Sequence, residues 1–267
     1  MKTTANAGSD RFQSDAGKYA AYLETPEGRL RADLTFANLQ EFLGSVKTSL
    51  RVLDLGCGTG TTAIRLAQLG HQVILLDSSP AMLDLAQRAA QEAGVAEKIT
   101  VKLGDAARLA DLFTNELFDV ILCHNLLEYV DDPQAVLGGA AQVMRNSSAI
   151  LSILVRNQAG EVLKAAIQAG DLAVAENNLT AEWTHESLYG GNVRLFTADG
   201  LETMLQAASL TVTAKRGVRV IADYLPQRIS RDDDYERIFE LERKLGSLPE
   251  FAAVARYTHC LARRSHQ

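Results

Sequence analysis

The sequence predicts a doubly wound α/β fold, in which helices cover both faces of a mostly parallel, seven-stranded sheet. From residue 51 onwards, short apolar segments alternate with segments of helical periodicity. The strand-like segments are apolar throughout, as parallel strands are when both faces of the sheet are covered. The first of them runs into a cluster of glycines, which is typical of the turn from strand to helix in such sheets.

The elements follow in a regular order. Two helices are expected before the sheet, over residues 10–23 and 29–46, with a break at the Thr-Pro-Glu-Gly sequence of residues 25–28. The sheet strands are expected over residues 51–55, 72–76, 99–103, 118–123, 149–155, 210–214 and 253–262. The remaining helices are expected over residues 61–69, 80–93, 133–144, 160–175, 198–208 and 235–246. Residues 1–46 are thus predicted to form an N-terminal helical cap, and residues 47–267 one α/β domain.

Residues 157–197 interrupt this order and are predicted to be an insertion. Residues 176–197 in particular look irregular, and a long irregular segment in a compact domain is often a functional lid. Trp183 and Tyr189 lie in this segment. Their rings can either stack on a nucleobase or pack inside the lid, and the sequence leaves both alternatives open.

Composition limits the class of protein. The net charge of −6 and a pI of about 5.4 give no general attraction to nucleic acid, although a local basic patch stays possible. Three scattered cysteines, Cys57, Cys123 and Cys260, form no metal-binding pattern, so no metal site is expected. The first residues lack the apolar core of a signal peptide, and no run of 18 apolar residues occurs. These features predict a cytoplasmic protein without a membrane span.

The turn after the first strand indicates the kind of ligand. Gly56, Gly58 and Gly60 are spaced G-x-G-x-G, whereas the dinucleotide fingerprint is G-x-G-x-x-G. Asp54 precedes the first glycine and Cys57 follows it. A carboxylate at this point repels a pyrophosphate and attracts an ammonium group. The turn therefore favours S-adenosylmethionine, which carries an ammonium and a sulfonium and no phosphate.

The next two strands end in residues that suit a nucleoside. Asp77 ends the second strand, where a carboxylate can accept hydrogen bonds from both ribose hydroxyls. Asp105 and Ala106 follow the third strand, where they can meet the adenine amino group and ring edge. The alternative for Asp54, Asp77 and Asp105 is that they cap helix N-termini.

The sequences DLGCGTG, LLD and GDA at the ends of strands one to three resemble the class I S-adenosylmethionine-dependent methyltransferases over residues 50–155. The resemblance implies a Rossmann-like sheet and S-adenosylmethionine as the cofactor. His124 leaves the fourth strand toward the expected methyl group and can contact the cofactor, act as a base or only shape the pocket. Glu128 is expected to cap the next helix or to act in catalysis, and Cys123 to pack in the strand.

Further segments narrow the resemblance. They are RVLDLGCGTG, HQVILLD, HNLLEYV, GVRV with DYL at 217–225, and ARYTH at 255–259. Together they resemble the bacterial tRNA 5-carboxymethoxyuridine methyltransferases over residues 10–264, a family that esterifies the carboxylate of that wobble nucleoside. The resemblance implies cofactor-binding roles for Arg31, Gly56, Cys57, Asp77 and His124. It places Arg219 and Tyr224 on the substrate side.

Elementary chemistry agrees with the substrate-side role that the resemblance implies for Arg219. A carboxylate is already ionised at neutral pH, so it needs positioning against the sulfonium rather than a general base. Arg219 is the candidate to hold it, because the guanidinium fork matches a carboxylate. The alternatives are a structural ion pair for Arg219, core packing for Tyr224 and a helix-surface position for Arg31.

The sequence carries fewer signals for a tRNA partner than for the cofactor. The family's lysine-rich run in the insertion is replaced here by residues 176–182, which contain no lysine. Phosphate contacts would then come from basic residues of the tail. These are Arg228, Arg231, Arg237, Arg243, Lys244, Arg256, Arg263 and Arg264. The acidic run at 232–234 works against them. A small-molecule carboxylate or hydroxyl methyltransferase, a non-catalytic cofactor-binding subunit and a dehydrogenase remain as alternatives.

Overall fold

The structure is a computed structural model that describes residues 16–44, 48–186 and 190–265. The first predicted helix is therefore seen from residue 16 onwards. Tyr189, one of the two aromatic residues singled out in the insertion, lies outside the described residues.

Strands of the described chain form one large sheet and one small hairpin. They are β1 (Arg51–Leu55), β2 (Gln72–Asp77), β3 (Ile99–Leu103), β4 (Val120–His124), β5 (Ile150–Arg156), β6 (Trp183–Glu186), β7 (Gly191–Arg194), β8 (Leu210–Val218) and β9 (Tyr257–Arg264). The sheet has seven strands in the order β3-β2-β1-β4-β5-β9-β8. Strands β1 to β5 are parallel, and β9 runs antiparallel to β5 and β8. The predicted doubly wound, mostly parallel sheet is confirmed.

Helices follow most strands, as predicted. Those described are α1 (Ala16–Leu23), α2 (Pro26–Leu43), α3 (Thr61–Gln68), α4 (Pro80–Glu92), α5 (Leu109–Leu112), α6 (Pro133–Val143), α7 (Gln158–Leu163), α8 (Leu172–Asn178), α9 (Ala198–Ala207), α10 (Tyr235–Ser247) and α11 (Pro249–Ala252). The Ser79 hydroxyl caps α4 by accepting the N–H of Met82 at 3.3 Å. In the described ranges, no helix combines the length and apolar character needed to cross a membrane.

Several element boundaries differ from the sequence-based expectation, and two of these differences have a simple structural cause. Helix α2 begins at Pro26 rather than at residue 29, because the Thr25 hydroxyl caps it by accepting the N–H of Gly28 at 3.1 Å. The last strand begins at Tyr257 rather than at residue 253, because residues 253–256 form the turn that leads from α11 into it.

The sheet carries an apolar layer on each face. Leu53 and Leu55 of β1 face one layer, and Val52, which precedes them, faces the other. A third apolar cluster joins Leu30 and Leu34 of α2 to the end of β8, to α10 and to Tyr257 of β9. This cluster places the N-terminal helices and the C-terminal tail beside the same edge of the sheet.

The insertion is more regular than predicted. Residues 164–168 form a π-helical turn, and β6 and β7 pair as an antiparallel hairpin in which Thr184 faces Val193. The expectation of an irregular segment over 176–197 is thus wrong across the hairpin. Val193 is fully buried, and the Arg194 guanidinium lies 4.5 Å from the centre of the Trp183 ring, so side-chain packing orders these short strands.

Candidate active site

A cavity of about 550 Å³ opens at the carboxyl ends of the parallel strands. Residues after β1 to β4 line one side, and α1, α2, the insertion and the tail line the other. This is the edge at which α/β sheets bind ligands. It brings most of the predicted site residues together: Arg31, Gly56, Gly58, Asp77, Asp105, Ala106, His124 and Arg219.

The glycine turn is shaped by left-handed backbone. Gly56, Gly58 and Gly60 have φ values of 60°, 53° and 73°, which side chains other than glycine rarely adopt. A Cβ on Gly58 would lie 3.1 Å from the Tyr19 ring of α1. The Gly58 N–H donates to Asp77 at 2.9 Å, which ties the turn to the tip of β2.

Asp54 lies just behind this turn. It lines a smaller adjoining cavity of about 50 Å³ together with Cys57, Arg31 and His124. Burial, with the nearby charge of Asp77, raises the pKa of Asp54 to about 8. Burial also raises the pKa of Asp77. Two buried acids that resist ionisation suit a cationic ligand, because its charge would stabilise both carboxylates. The residues present thus fit a cationic nucleoside.

Asp105 lies where it can meet the ligand and also caps a helical turn, which are the two roles that its sequence position allowed. It lines the cavity with Ala106. One of its carboxylate oxygens accepts the N–H of Ala107 at 2.9 Å and caps the short 3₁₀ turn that follows β3. Gly60, in contrast, lines neither of the two cavities but packs against helix α4 and β2.

His124 belongs to a buried polar chain. Its Nε2 lies 2.8 Å from the Ser152 hydroxyl, and that hydroxyl lies 2.8 Å from Nε2 of His259. Burial, followed by the charge of Arg31, lowers the pKa of His124 to about 3. The imidazole is therefore neutral, and a group with so low a pKa is a weak general base at neutral pH.

Two neighbours of His124 have structural contacts. Glu128 caps no helix; its Oε1 accepts the side-chain N–H of Asn125 at 3.0 Å and the backbone N–H of Arg156 at 2.8 Å. It thereby joins the segment after β4 to β5. Cys123 is fully buried in β4, and burial raises the pKa of its thiol well above the ordinary value.

The opposite side of the cavity holds four arginines around one tyrosine. The ring centre of Tyr257 lies 5.6, 6.0, 5.9 and 5.8 Å from the guanidinium carbons of Arg31, Arg156, Arg219 and Arg256. Burial opposes ionisation of the phenol, but the four cations outweigh it and lower the pKa of Tyr257 to about 7. We call these five residues the arginine cluster.

Two buried acids offset part of this charge. Glu161 pairs with Arg156 at 2.9 Å and with Arg256. Asp223 pairs with Arg219 and lies 3.5 Å from Arg256. In the described part of the chain, no carboxylate forms an ion pair with the fourth arginine, Arg31.

Arg219 is already engaged by the protein. Its Nε donates to Asp223 at 2.9 Å, and its Nη1 donates to the Tyr22 phenol oxygen at 2.9 Å. Its backbone adopts a left-handed φ of 61° directly after β8. Tyr224 does not line the cavity; its hydroxyl lies 3.5 Å from the carbonyl of Gly160.

Sequence reasoning missed several of these residues. Arg156 and Glu161 were not singled out, although a charged residue at the end of the apolar strand β5 is a usable signal. Tyr19 and Tyr22 of α1 also line the cavity. Nothing in their local sequence marks them, because only the packing of α1 against the glycine turn brings them there.

The structure corrects the proposed set of tail phosphate contacts. Arg256 is 4% exposed and belongs to the arginine cluster, so it cannot meet RNA at the surface. The Arg231 guanidinium donates to backbone carbonyls of its own loop, and Arg243 pairs with Glu41 at 2.9 Å.

The other basic residues of the tail lie in different parts of the structure. Arg263 and Arg264 follow Ala262, which pairs with Leu151 near the start of β5, so they lie at the sheet edge opposite the cavity. Arg228, Arg237 and Lys244 are exposed, although Arg237 pairs with Asp234.

Comparison with known proteins agrees with this geometry. Residues 46–232 match the family described as Methyltransferase domain. A solved magnesium protoporphyrin IX methyltransferase from Synechocystis, with S-adenosylhomocysteine bound, superposes with a TM-score of 0.66 at 16% identity over 98% of this chain and 100% of that one. This likeness shows the fold.

The chain thus belongs to the class I S-adenosylmethionine-dependent methyltransferases, and S-adenosylmethionine is its methyl donor. Within that class it is similar to the tRNA 5-carboxymethoxyuridine methyltransferase of Escherichia coli K12, at 32% identity over 248 residues that cover 90% of each chain. A ubiquinone biosynthesis O-methyltransferase of Azorhizobium caulinodans is 37% identical over 108 residues, 40% of this chain and 41% of the relative.

Proposed function

We propose that this enzyme methylates the carboxylate of 5-carboxymethoxyuridine at the wobble position of tRNA. The observation that carries the proposal is the arginine cluster, which surrounds the substrate side of the cavity with cations. The similarity over 90% of both chains to a relative with this named substrate supports it. A tRNA substrate also agrees with the predicted cytoplasmic location.

Charge supports an anionic acceptor. Four arginines, of which Arg156 alone is not fully enclosed, face the two buried carboxylates of Glu161 and Asp223, so positive charge is in excess there. Two anions could pair with these excess positive charges. Arg31, which has no carboxylate partner among the described residues, suits the carboxylate of the methionine part of the cofactor. The other arginines then remain for the carboxylate of the substrate.

We assign the cofactor to the strand tips. Asp77 would accept the ribose hydroxyls, Asp105 and Ala106 would meet adenine, and Asp54 would attract the ammonium group across the bare backbone of the glycine turn. His124 would shape the floor near the sulfonium. Gly56, Cys57, Gly58 and Gly60 would provide the turn itself.

The reaction that these residues would support has a single chemical step. S-adenosylmethionine supplies an activated methyl group, which the substrate carboxylate oxygen attacks as the carbon–sulfur bond breaks and leaves a neutral thioether. No proton is transferred, since the carboxylate is already ionised. Arg219 and its cluster neighbours would hold the carboxylate in line and exclude water from it. The low pKa of His124, about 3, suits this reaction better than methylation of a hydroxyl, which needs a base.

The test is nucleoside mass spectrometry of tRNA from a strain that lacks the gene, with a complemented strain as the control. We expect the ratio of methyl ester to free acid at the wobble position to fall at least tenfold in the deletion strain. An unchanged ratio would refute the proposal.

A small-molecule carboxylate or hydroxyl acceptor is the second candidate. It is favoured by the internal engagement of Arg231, Arg243 and Arg256, which leaves few tail cations for RNA, and by the ubiquinone O-methyltransferase relatives. Purified enzyme given labelled S-adenosylmethionine and either tRNA or the small-molecule fraction of a cell extract separates the two. Label in the small-molecule fraction alone would support this second candidate.

A further inference from the structure

Lys164 is a cation at the mouth of the cavity. It begins the π-helical turn of residues 164–168, and it lines the cavity together with Gln168 of the same turn. Its side chain is half-buried. Across residues 16–44, 48–186 and 190–265, no carboxylate forms an ion pair with its ammonium group. Single π-helical turns occur frequently at functional sites.

The charged neighbours of Lys164 are two arginines, Arg256 and Arg156, and two acidic groups that lie against those arginines, Glu161 and Tyr257. Burial, and then the charges of Arg256 and Arg156, lower the pKa of Lys164, whereas Glu161 and Tyr257 oppose this shift without cancelling it. Glu161 itself pairs with those two arginines. An ammonium group held beside other cations without an ion-pair partner is unfavourable in the free protein, and an anion bound at the mouth would relieve that repulsion.

The burial of Lys164, compared with that of the arginine cluster, indicates which anion it would bind. Arg256 and Tyr257 are buried, and Arg156 keeps 11% of its side chain exposed, whereas Lys164 is only half-buried. A carboxylate that is to be methylated has to reach the strand tips, where the cofactor belongs. The part of a substrate that passes Lys164 is therefore the part that leads out of the cavity. In an RNA this part is the sugar-phosphate backbone.

We propose that Lys164 binds a phosphodiester of the RNA backbone next to the modified nucleotide, at a subsite separate from the one that holds the carboxylate. The proposal rests on the tRNA substrate proposed above and adds a determinant of specificity to it. A lysine ammonium suits this position because it is a flexible point charge that binds phosphate without demanding the planar geometry of an arginine fork.

The experiment compares a substrate that has phosphodiesters with one that has none. The first is an anticodon stem-loop RNA carrying 5-carboxymethoxyuridine, for which KM and kcat are measured. The second is the free nucleoside, for which the inhibition constant against the stem-loop is measured. The variants are Lys164→Met, which removes the charge at similar length, and Lys164→Arg, which keeps it. Lys98→Met is the matched control, since Lys98 precedes β3 at the opposite edge of the sheet.

We expect Lys164→Met to raise the KM for the stem-loop about tenfold or more, as loss of one close phosphate contact does. The inhibition constant of the nucleoside and the affinity for S-adenosylmethionine should stay within about twofold of the wild-type values, since neither uses this subsite. The dependence of KM on salt should weaken by about one phosphate contact. Lys164→Arg should restore most of the loss, and Lys98→Met should behave as the wild type.

Equal weakening of nucleoside and stem-loop would overturn the inference, because Lys164 would then act on the carboxylate or on the shape of the cavity. An unchanged KM for the stem-loop in Lys164→Met, with the wild type active, would overturn it alone and leave the proposed function standing. If the wild type transferred no methyl group to the stem-loop, the proposed function would fall and this inference with it.

Discussion

The two sides of the cavity are built in different ways. The cofactor side comes from the tips of consecutive strands between residues 54 and 130, and each tip carries its polar residue or glycine in a short local motif. The substrate side joins α1, α2, the end of β5, the insertion, the end of β8 and the start of β9. Its polar side chains come from positions between 19 and 257 of the sequence. The cofactor side is thus local and recognisable, whereas the substrate side exists only after folding.

The two sides also differ in their electrostatics. Buried acids, Asp54 and Asp77, dominate the cofactor side, and burial holds their pKa values above the ordinary range. Arginines dominate the substrate side, where they hold the pKa of Tyr257 at about 7. A cationic cofactor and an anionic acceptor would each meet the opposite charge. If this division is correct, single substitutions should affect one side and spare the other.

The largest effect should follow from Asp77→Ala on the cofactor side. The substitution removes the acceptor for the ribose and the anchor of the Gly58 N–H, so affinity for S-adenosylmethionine should fall about 100-fold, as loss of two charged hydrogen bonds does. Calorimetry with the cofactor measures this. Asp84→Ala on the exposed face of α4 serves as the control. A loss of less than threefold would remove Asp77 from the cofactor site.

Arg219→Met should weaken the use of substrate and leave cofactor binding unchanged. We expect kcat/KM for the RNA to fall about 30-fold, which corresponds to about 2 kcal/mol, with cofactor affinity within about twofold of the wild-type value. Asp223 keeps a partner in Arg256, so the fold should survive, and a melting curve checks that. Equal losses in both measurements would show that Arg219 serves the whole cavity rather than its substrate side.

The lowered pKa of Tyr257 predicts that the KM for the substrate depends on pH. Below pH 7 the phenol is protonated and the arginines keep their full charge. Above pH 7 the phenolate neutralises one positive charge, because its pKa is about 7, and competes with the substrate carboxylate. KM for the substrate should therefore rise about tenfold between pH 6.5 and 8.5. In Tyr257→Phe this rise should disappear, and a wild-type KM that stays flat over the same range would contradict the mechanism.

The smallest effect concerns stability and the cofactor side. The folded-state pKa of Asp54, about 8, lies above its unfolded value, so the acid destabilises the free protein increasingly as pH rises from about 4 to 8. Asp54→Asn should accordingly raise the melting temperature of the free protein by about 3 °C or more at pH 8 and little at pH 4.5. The same variant should bind S-adenosylmethionine less tightly. A lower melting temperature at pH 8 would mean that the carboxylate is stabilised by the fold.

Sequence patterns predicted the cofactor side well because strand tips in a parallel sheet are necessarily neighbours. Once β1 to β4 were identified, Asp77, Asp105 and His124 had to lie at one edge, and they line one cavity. The same reasoning placed Asp54 near them, although it lies behind the glycine turn in the adjoining cavity. The division at residue 46 and the lid role of the insertion stay predictions.

Other features depended on contacts that no local pattern encodes. Tyr224 was expected on the substrate side because it follows Arg219 closely, yet the turn at 222–224 directs its hydroxyl toward the carbonyl of Gly160. The hairpin of β6 and β7 was missed because each strand has only four residues. Arg256 was expected at the surface, but the pairing of β9 with β5 carries it inside.

The sequence by itself determined the sheet, the class of cofactor and the residues at the strand tips, because hydrophobic periodicity and glycine spacing act over a few residues at a time. Only the tertiary structure decided which charges face each other across the cavity. Arg31 and Tyr257 are separated by more than 220 residues of sequence, and their guanidinium and ring centres lie 5.6 Å apart. Contacts of that kind are set by long-range packing, since they form only when helix α2 and strand β9 meet the same edge of the sheet.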